Sequence, residues 1–194
     1  MPACTNTKTL KQYFLTSVFL LLIHAGTMAQ TPIANRVKAV VKSLPSQAQV
    51  VAKYTDNQRH CLYYTLRNRL FRYDVKTNKR EEIPFSSTPY SSIITTWLSA
   101  DGNAFFIAID RKDLVAFYLD NGQELWAFNS HTNRPKKIGT GFAISHSAKG
   151  ITIKRASRCL NPQTTQDRQQ WMVCDHHYDG NGTPLGKGEE YKLK

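Results

Sequence analysis

The stretch from Ser91 to Asn129 constrains this chain most: SSIITTWLSADGNAFFIAIDRKDLVAFYLDNGQELWAFN. It breaks into four short apolar runs, SIITTWLS, AFFIAI, LVAFYL and ELWAFN, parted by ADGN, DRKD and DNGQ. Runs of this length, rich in β-branched and aromatic residues and closed by Asn, Asp and Gly, read as strands joined by hairpin turns. The same plan occurs before it. QVVAKY, CLYYTL, LFRYDV and REEIPF are separated by TDNQRH, the turn Arg67-Asn68-Arg69, and KTNK. It occurs again after it as GFAIS, ITIKRAS, QWMVCDHHY and a weaker run ending at Tyr191. The expected fold is therefore all-β, with three four-stranded antiparallel blade-like meander units over about 49–85, 91–138 and 141–194. Four-stranded units of about 40–50 residues are the mark of propeller blades, so the architecture expected is a partial propeller.

Aligned on the third turn, the units read RYDVKTNKREEIPF, YLDNGQELWAFN and HYDGNGTPLGKGEEY. This alignment makes Asp74, Asp120 and Asp179 equivalent turn residues. LVAFYLDNGQELWAF resembles the outer hairpin of quinoprotein-type propeller repeats. RLFRYDVKTNKREEIPF and WLSADGNAFFIAI are similar to hairpins of other exported β-propeller proteins, a class that includes WD40-like blades. The resemblance implies architecture and no activity: quinoproteins hold cofactor and metal with residues from many blades, and no such set can be matched here. Closed propellers have about four to eight blades. Three units would therefore need a second copy of the chain, a sandwich-like or incomplete-barrel packing, or a cover over the open side. A homodimer completing the ring is one expectation that follows.

Residues 1–29 read as a signal peptide rather than as part of the fold. Lys8 and Lys11 form a basic start without acids, Tyr13 to Ile23 is the apolar run, and Thr27-Met28-Ala29 is a small-residue cleavage site. That run is shorter than the roughly 18 residues a membrane span needs, so no transmembrane segment is expected after cleavage. The expected address is the periplasm or the exterior. Residues 30–47 are the N-terminal helix and its linker. In TPIANRVKAVVKSL, Thr31 suits the N-cap and Pro32 the first helical position. Ile33, Val37, Val40, Val41 and Leu44 share one face, which is expected to cover a sheet rather than lie on a membrane.

The formal net charge is +12. Lys8 and Lys11 leave with the signal, so two of those charges go and ten remain. In an exported chain such a balance points to anionic glycans or acidic proteins as partners and away from nucleic acid. Placing charges on an up-and-down meander sharpens this. The middle turns carry Arg67, Arg69, Arg111, Lys112, Arg158 and Arg168, and the second link carries Arg134, Lys136 and Lys137. The opposite end balances Asp56, Asp74, Asp101, Asp120 and Asp179 against Arg59, Lys76, Lys79, Arg80 and Lys149. One basic face is thus expected, with those nine residues as the ligand-binding set.

Other constellations carry less. Asp175, His177, Asp179 and Gly180 approach calcium-loop spacing, but Gly186 stands where the bidentate acid belongs. His176 and His177 are neighbours on a strand and face opposite ways, so no metal site is expected. No Gly-x-Ser-x-Gly elbow and no His-Glu-x-x-His pair is present. Glu81–Glu82 and Glu189–Glu190 are adjacent in extended chain and diverge. Tyr63, Tyr64, Trp97, Trp126 and Trp171 read as blade core. Cys159 and Cys174 flank the long loop of the third unit and are expected to form a disulfide, with Cys61 left as a buried thiol. The functional expectation is an exported, non-enzymatic binding module without cofactor, taking a polyanionic glycan or an acidic protein on its basic turn face. A structural subunit of an envelope complex, or an enzyme relic or subunit of a larger propeller, are the alternatives.

Overall fold

The computed structural model describes residues 32–56, 59–85, 91–111, 122–132, 134–161, 163 and 170–193. Its one described helix, α1, runs Ile33–Ser43. Three four-stranded antiparallel sheets follow, each paired in chain order. The first comprises β1 (Gln49–Tyr54), β2 (Cys61–Leu66), β3 (Arg69–Asp74) and β4 (Lys79–Ile83). The second comprises β5 (Ser91–Leu98), β6 (Ala104–Arg111), β7 (Gln123–Asn129) and β8 (Pro135–Gly141). The third comprises β9 (Ala143–Ser147), β10 (Gly150–Cys159), β11 (Trp171–Tyr178) and β12 (Pro184–Lys192). This is the all-β arrangement of three blade-like meanders that the alternating sequence predicts.

Side-chain alternation decides how the layers stack. On β2, Cys61 and Tyr63 turn toward the second sheet, while Leu62 and Tyr64 turn the other way. There Val40, Val41 and Leu44 of α1 and its following turn pack on Leu62, Tyr64 and Phe71. The helix therefore covers the outer face of the first sheet. Pro32 stands at its N-cap with no side-chain cap; Thr31, the expected cap, lies outside the described residues. On β6, Phe105, Ile107 and Ile109 pack on the first sheet, and Phe106 and Ala108 on the third. A strand apolar on both faces reads as an unbroken run, which is why AFFIAI shows no polar alternation. Each such side chain, fully buried, contributes about 1.5–3 kcal/mol of transfer free energy.

The second and third sheets meet at a corner. Only Phe142 separates β8 from β9. Gly139 and Gly141 let β10 lie directly against β8: a Cβ on Gly139 would stand 2.9 Å from Ile153, and one on Gly141 would meet the Lys154 carbonyl. Phe142 N–H donates to that carbonyl at 2.9 Å. Ile151, Ile153 and Tyr178 close this core against Phe106, Ala108 and Leu125.

The structure corrects two details. ELWAFN, expected as the last strand of the second unit, is its third. Asp110 pairs with Gln123 and Ala104 with Asn129, and Pro135–Gly141 forms the fourth strand beyond it. The buried Leu125 and Phe128 require a strand on either side, and Pro135 is acceptable at the start of an edge strand. LVAFYL and Asp120 lie outside the described residues. The turn residue equivalent to Asp74 and Asp179 is consequently Asn129. All three side chains accept from two backbone N–H groups of their turns: Lys76 and Thr77 at 2.9 Å, His131 and Thr132 at 2.8 and 3.3 Å, Asn181 and Thr183 at 2.8 Å.

The expected Cys159–Cys174 disulfide is absent, and Cys61, Cys159 and Cys174 are free thiols. The register explains it. Cys174 sits opposite Arg155 and Cys159 opposite Trp171, three positions further along β11. At about 3.3 Å per residue this is about 10 Å, beyond the roughly 7 Å a disulfide spans.

Candidate functional site

An antiparallel meander sends alternate turns to opposite ends, and hydrogen bonds between sheets show which turns share an end. Arg59 after β1 donates to Asn103 and Ser130 at 3.4 and 2.7 Å. Ala100 N–H and Asp101 N–H donate to Gly180 O and Asn181 Oδ1, each at 3.0 Å. First and third turns of all three sheets thus lie together. At the other end Asn68 Oδ1 accepts from Ile93 N–H at 3.2 Å, and Gln123 Oε1 from Ile144 N–H at 3.0 Å.

The described members of the nine expected basic residues do not all gather on one face. Arg134 immediately precedes β8, beside the third turn of the second sheet, at the end opposite the middle turns. Lys112 and Arg168 lie outside the described residues. Arg111 and Lys137 are held by Glu124, which is 0% exposed, at 3.6 and 2.5 Å. Trp126 Nε1 donates to the second oxygen of that carboxylate at 2.9 Å. A buried carboxylate is retained only with partners, so these two cations serve the interior. Arg158 pairs with Glu190 at 3.5 Å. Lys136, on the edge strand β8, is exposed.

What the structure does assemble is a smaller cluster where β2 turns into β3. Arg67 and Asn68 both have left-handed backbones, φ 50° and 62°. Two successive positive φ values define the type I′ hairpin turn, and Arg is an unfavourable residue for its first position. Arg67 is exposed. Its guanidinium makes no ion pair or hydrogen bond among the described residues. On one side of it lies a cavity of about 460 Å³, walled by Arg67, Arg69, Arg80, Leu66, Phe71 and Pro45. On the other lies one of about 220 Å³, reaching Gln49, Asn68, Ile93 and Ile94. Ile94 is 48% exposed.

Three guanidiniums over an apolar floor make this groove suited to a carboxylate- or sulfate-bearing ligand with an apolar part. Arg80 lies 4.0 Å above the Phe71 ring. Burial pushes the Tyr64 phenol up, and Arg80 near its ring pulls against that. Arg69 meets Glu82 at 3.2 Å, with side chains 65% and 44% exposed. Such a pair contributes about 0–1 kcal/mol and yields easily to a competing anion.

Arg67 and Arg69 were expected in the basic set, and Arg80 was placed at the opposite end. Its backbone does stay beside the third turn, opposite Tyr73, but that pairing puts its side chain on the helix-side face with Phe71 and Tyr64, where it reaches back over Phe71 to line the groove. The alternation in KREEI would have shown this once the partner strand was known.

No family model matches the chain, and no curated protein matches it. Among solved structures, it is similar to tricorn protease at 16% identity, covering 68% of this chain and 11% of that one, with a TM-score of 0.35. It is also similar to an oligogalacturonate lyase in complex with manganese: 14% identity, 69% and 37% coverage, TM-score 0.36. A Pyrococcus horikoshii acylaminoacyl peptidase matches at 14% identity, with 76% and 25% coverage and a TM-score of 0.38. The chain thus spans 11 to 37% of these structures, and at such scores the likeness carries no argument about activity.

Proposed function

We propose that this protein is an exported, non-enzymatic binding module that holds an acidic segment of a partner protein in the groove of Arg67, Arg69 and Arg80. The observation that carries the reading is Arg67 itself. It is exposed, unpartnered among the described residues, held in a conformation costly for a side-chain-bearing residue, and flanked by cavities on both sides. The apolar walls of Leu66, Pro45, Ile93 and Ile94 favour a peptide over a polyanionic glycan, because sulfated sugars offer little that would bury them. Export is proposed on the leader-like sequence of residues 1–29, and a quinoprotein- or WD40-like type for the blades on the hairpin motifs alone.

The test is fluorescence anisotropy with two labelled probes, a heparin oligosaccharide and an acidic peptide carrying Leu and Phe. The expected result is peptide binding that weakens as salt rises through about 0.5 M and is lost in Arg67→Ala/Arg80→Ala. Heparin bound more tightly than the peptide would turn the reading to glycans; neither probe bound would end it.

A second reading concerns assembly. Lys154, Asp175 and Tyr191 lie on the face of the third sheet turned away from the second, where Lys154 and Tyr191 stay partly exposed. This favours a second copy completing the ring, for which sedimentation at micromolar concentration should show a dimer.

A further inference from the structure

A different pocket, of about 200 Å³, opens at the stitched end, in the gap between the first and second sheets. The first sheet supplies Arg59, His60, Arg72 and Lys76, and the third turn of the second sheet supplies His131. Its walls are fixed. Arg59 is tied to Asp56 at 2.6 Å and to Ser130, and lies 4.5 Å above the Tyr54 ring. Arg72 is tied to Glu81 and Asp74 at 3.1 and 3.4 Å. Asp74, the carboxylate lining this pocket, is already occupied: one oxygen accepts from two backbone N–H groups and the other from Arg72.

Two nitrogens are left open, and one of them, Arg72 Nε, is a fixed donor. Arg72 Nε and His60 Nδ1 are closed off from solvent without a hydrogen-bond partner among the described residues. The Cys61 sulfur beside Arg72 is at best a weak acceptor. Lys76 and His131 stand exposed at the mouth. A cation is poorly served here despite the thiol and imidazoles. Burial pushes the Cys61 thiol up, against the pull of Arg72, so it stays protonated. No group of three metal-ligating side chains is gathered among the described residues.

We propose that this pocket binds a small oxyanion, of the phosphate, sulfate or carboxylate kind, at a site independent of the Arg67 groove. Lys76 and His131 receive it at the mouth, and Arg72 and His60 hold it inside through the nitrogens that lack a partner.

The test is isothermal titration of the full chain with inorganic phosphate, sulfate and acetate at constant ionic strength, on wild type, Lys76→Ala, His131→Ala, Arg67→Ala and, as a control far from both sites, Lys38→Ala. A saturable binding step for one or more of these anions is expected, weakened about tenfold in Lys76→Ala and in His131→Ala, unchanged in Lys38→Ala and still present in Arg67→Ala. Acetate bound in preference to phosphate supports the site and narrows it to carboxylates. Arg72→Gln, checked for folding by its thermal melt, should abolish binding; if it does not fold, the two mouth variants decide. Absence of saturation by about 10 mM of every anion overturns the proposal, as does binding lost only in Arg67→Ala.

Discussion

The two ends of the stack are built from the same meander turns and use charge in opposite ways. At the stitched end, Asp74, Asn129 and Asp179 each fold a turn around a side-chain oxygen, and Arg59, Ala100 and Asp101 bridge one sheet to the next. Its aspartates are taken up by turn N–H groups and hydroxyls, and Arg59 and Arg72 by carboxylates. At the middle-turn end, single bonds from Asn68 and Gln123 do the bridging, and Arg67 is left exposed. A uniform charge count along the sequence therefore misleads: what matters is which cations already answer a carboxylate. Arg111 and Lys137 do, through Glu124, and Arg67 does not.

This contrast can be broken at several points. The largest effect is expected at Lys137→Ala, which leaves the Glu124 carboxylate buried with its Lys partner gone. About 3 kcal/mol should be lost in urea denaturation; a loss below about 0.5 kcal/mol would mean that the buried pair adds nothing to the middle-turn end. Next is Arg59→Ala, which removes the ion pair to Asp56, two side-chain bonds to the second sheet and the stacking on Tyr54. About 2 kcal/mol is expected from the same measurement.

Acid sharpens the contrast further. Burial raises Asp74, but the N–H and hydroxyl of Thr77, the Lys76 N–H and Arg72 outweigh it and hold the carboxyl below its ordinary 3.8. The Ser99 hydroxyl and Asn103 N–H lower Asp101, and the Thr183 N–H lowers Asp179. Depressed carboxylates contribute stability that is complete above about 3.8 and lost as pH falls through their lower folded values. The combined Asp74→Asn, Asp101→Asn and Asp179→Asn variant should show a flatter loss of intrinsic fluorescence between pH 4 and 2, as against the wild type. The smallest effect is expected at Arg67→Gly. Glycine accepts the positive φ freely, so stability should hold or rise by a few tenths of a kcal/mol while anion binding in the groove falls.

The helix face and the central strands CLYYTL of the first sheet and AFFIAI of the second were legible because their patterns are plain: both strands are apolar on both faces, as doubly covered strands are. The second sheet was harder. LVAFYL and ELWAFN carry equal strand signals, whereas PKKIGTG, which supplies the fourth strand, carries two lysines, two glycines and a proline. Local propensity says nothing about which run pairs with which. That same missing register hid the side on which Arg80 stands, the separation of Cys159 from Cys174, and the burial of Glu124 among apolar neighbours. Arg67 and Arg69 could be placed at a turn because a tight turn presents its residues outward whatever the register.

Every pairing among the described strands joins neighbours in sequence. This has a consequence in time. Each sheet closes only short loops between most of its strands, so its pairing can begin as soon as its own four strands are free, without waiting for a distant segment. An isolated sheet with one apolar face is marginal in water, and it is the arrival of the next that secures it. A chain emerging in order would thus gain a first sheet already backed by its helix, then a second laid on the other side. The third, drawn in through the single residue Phe142, would come last.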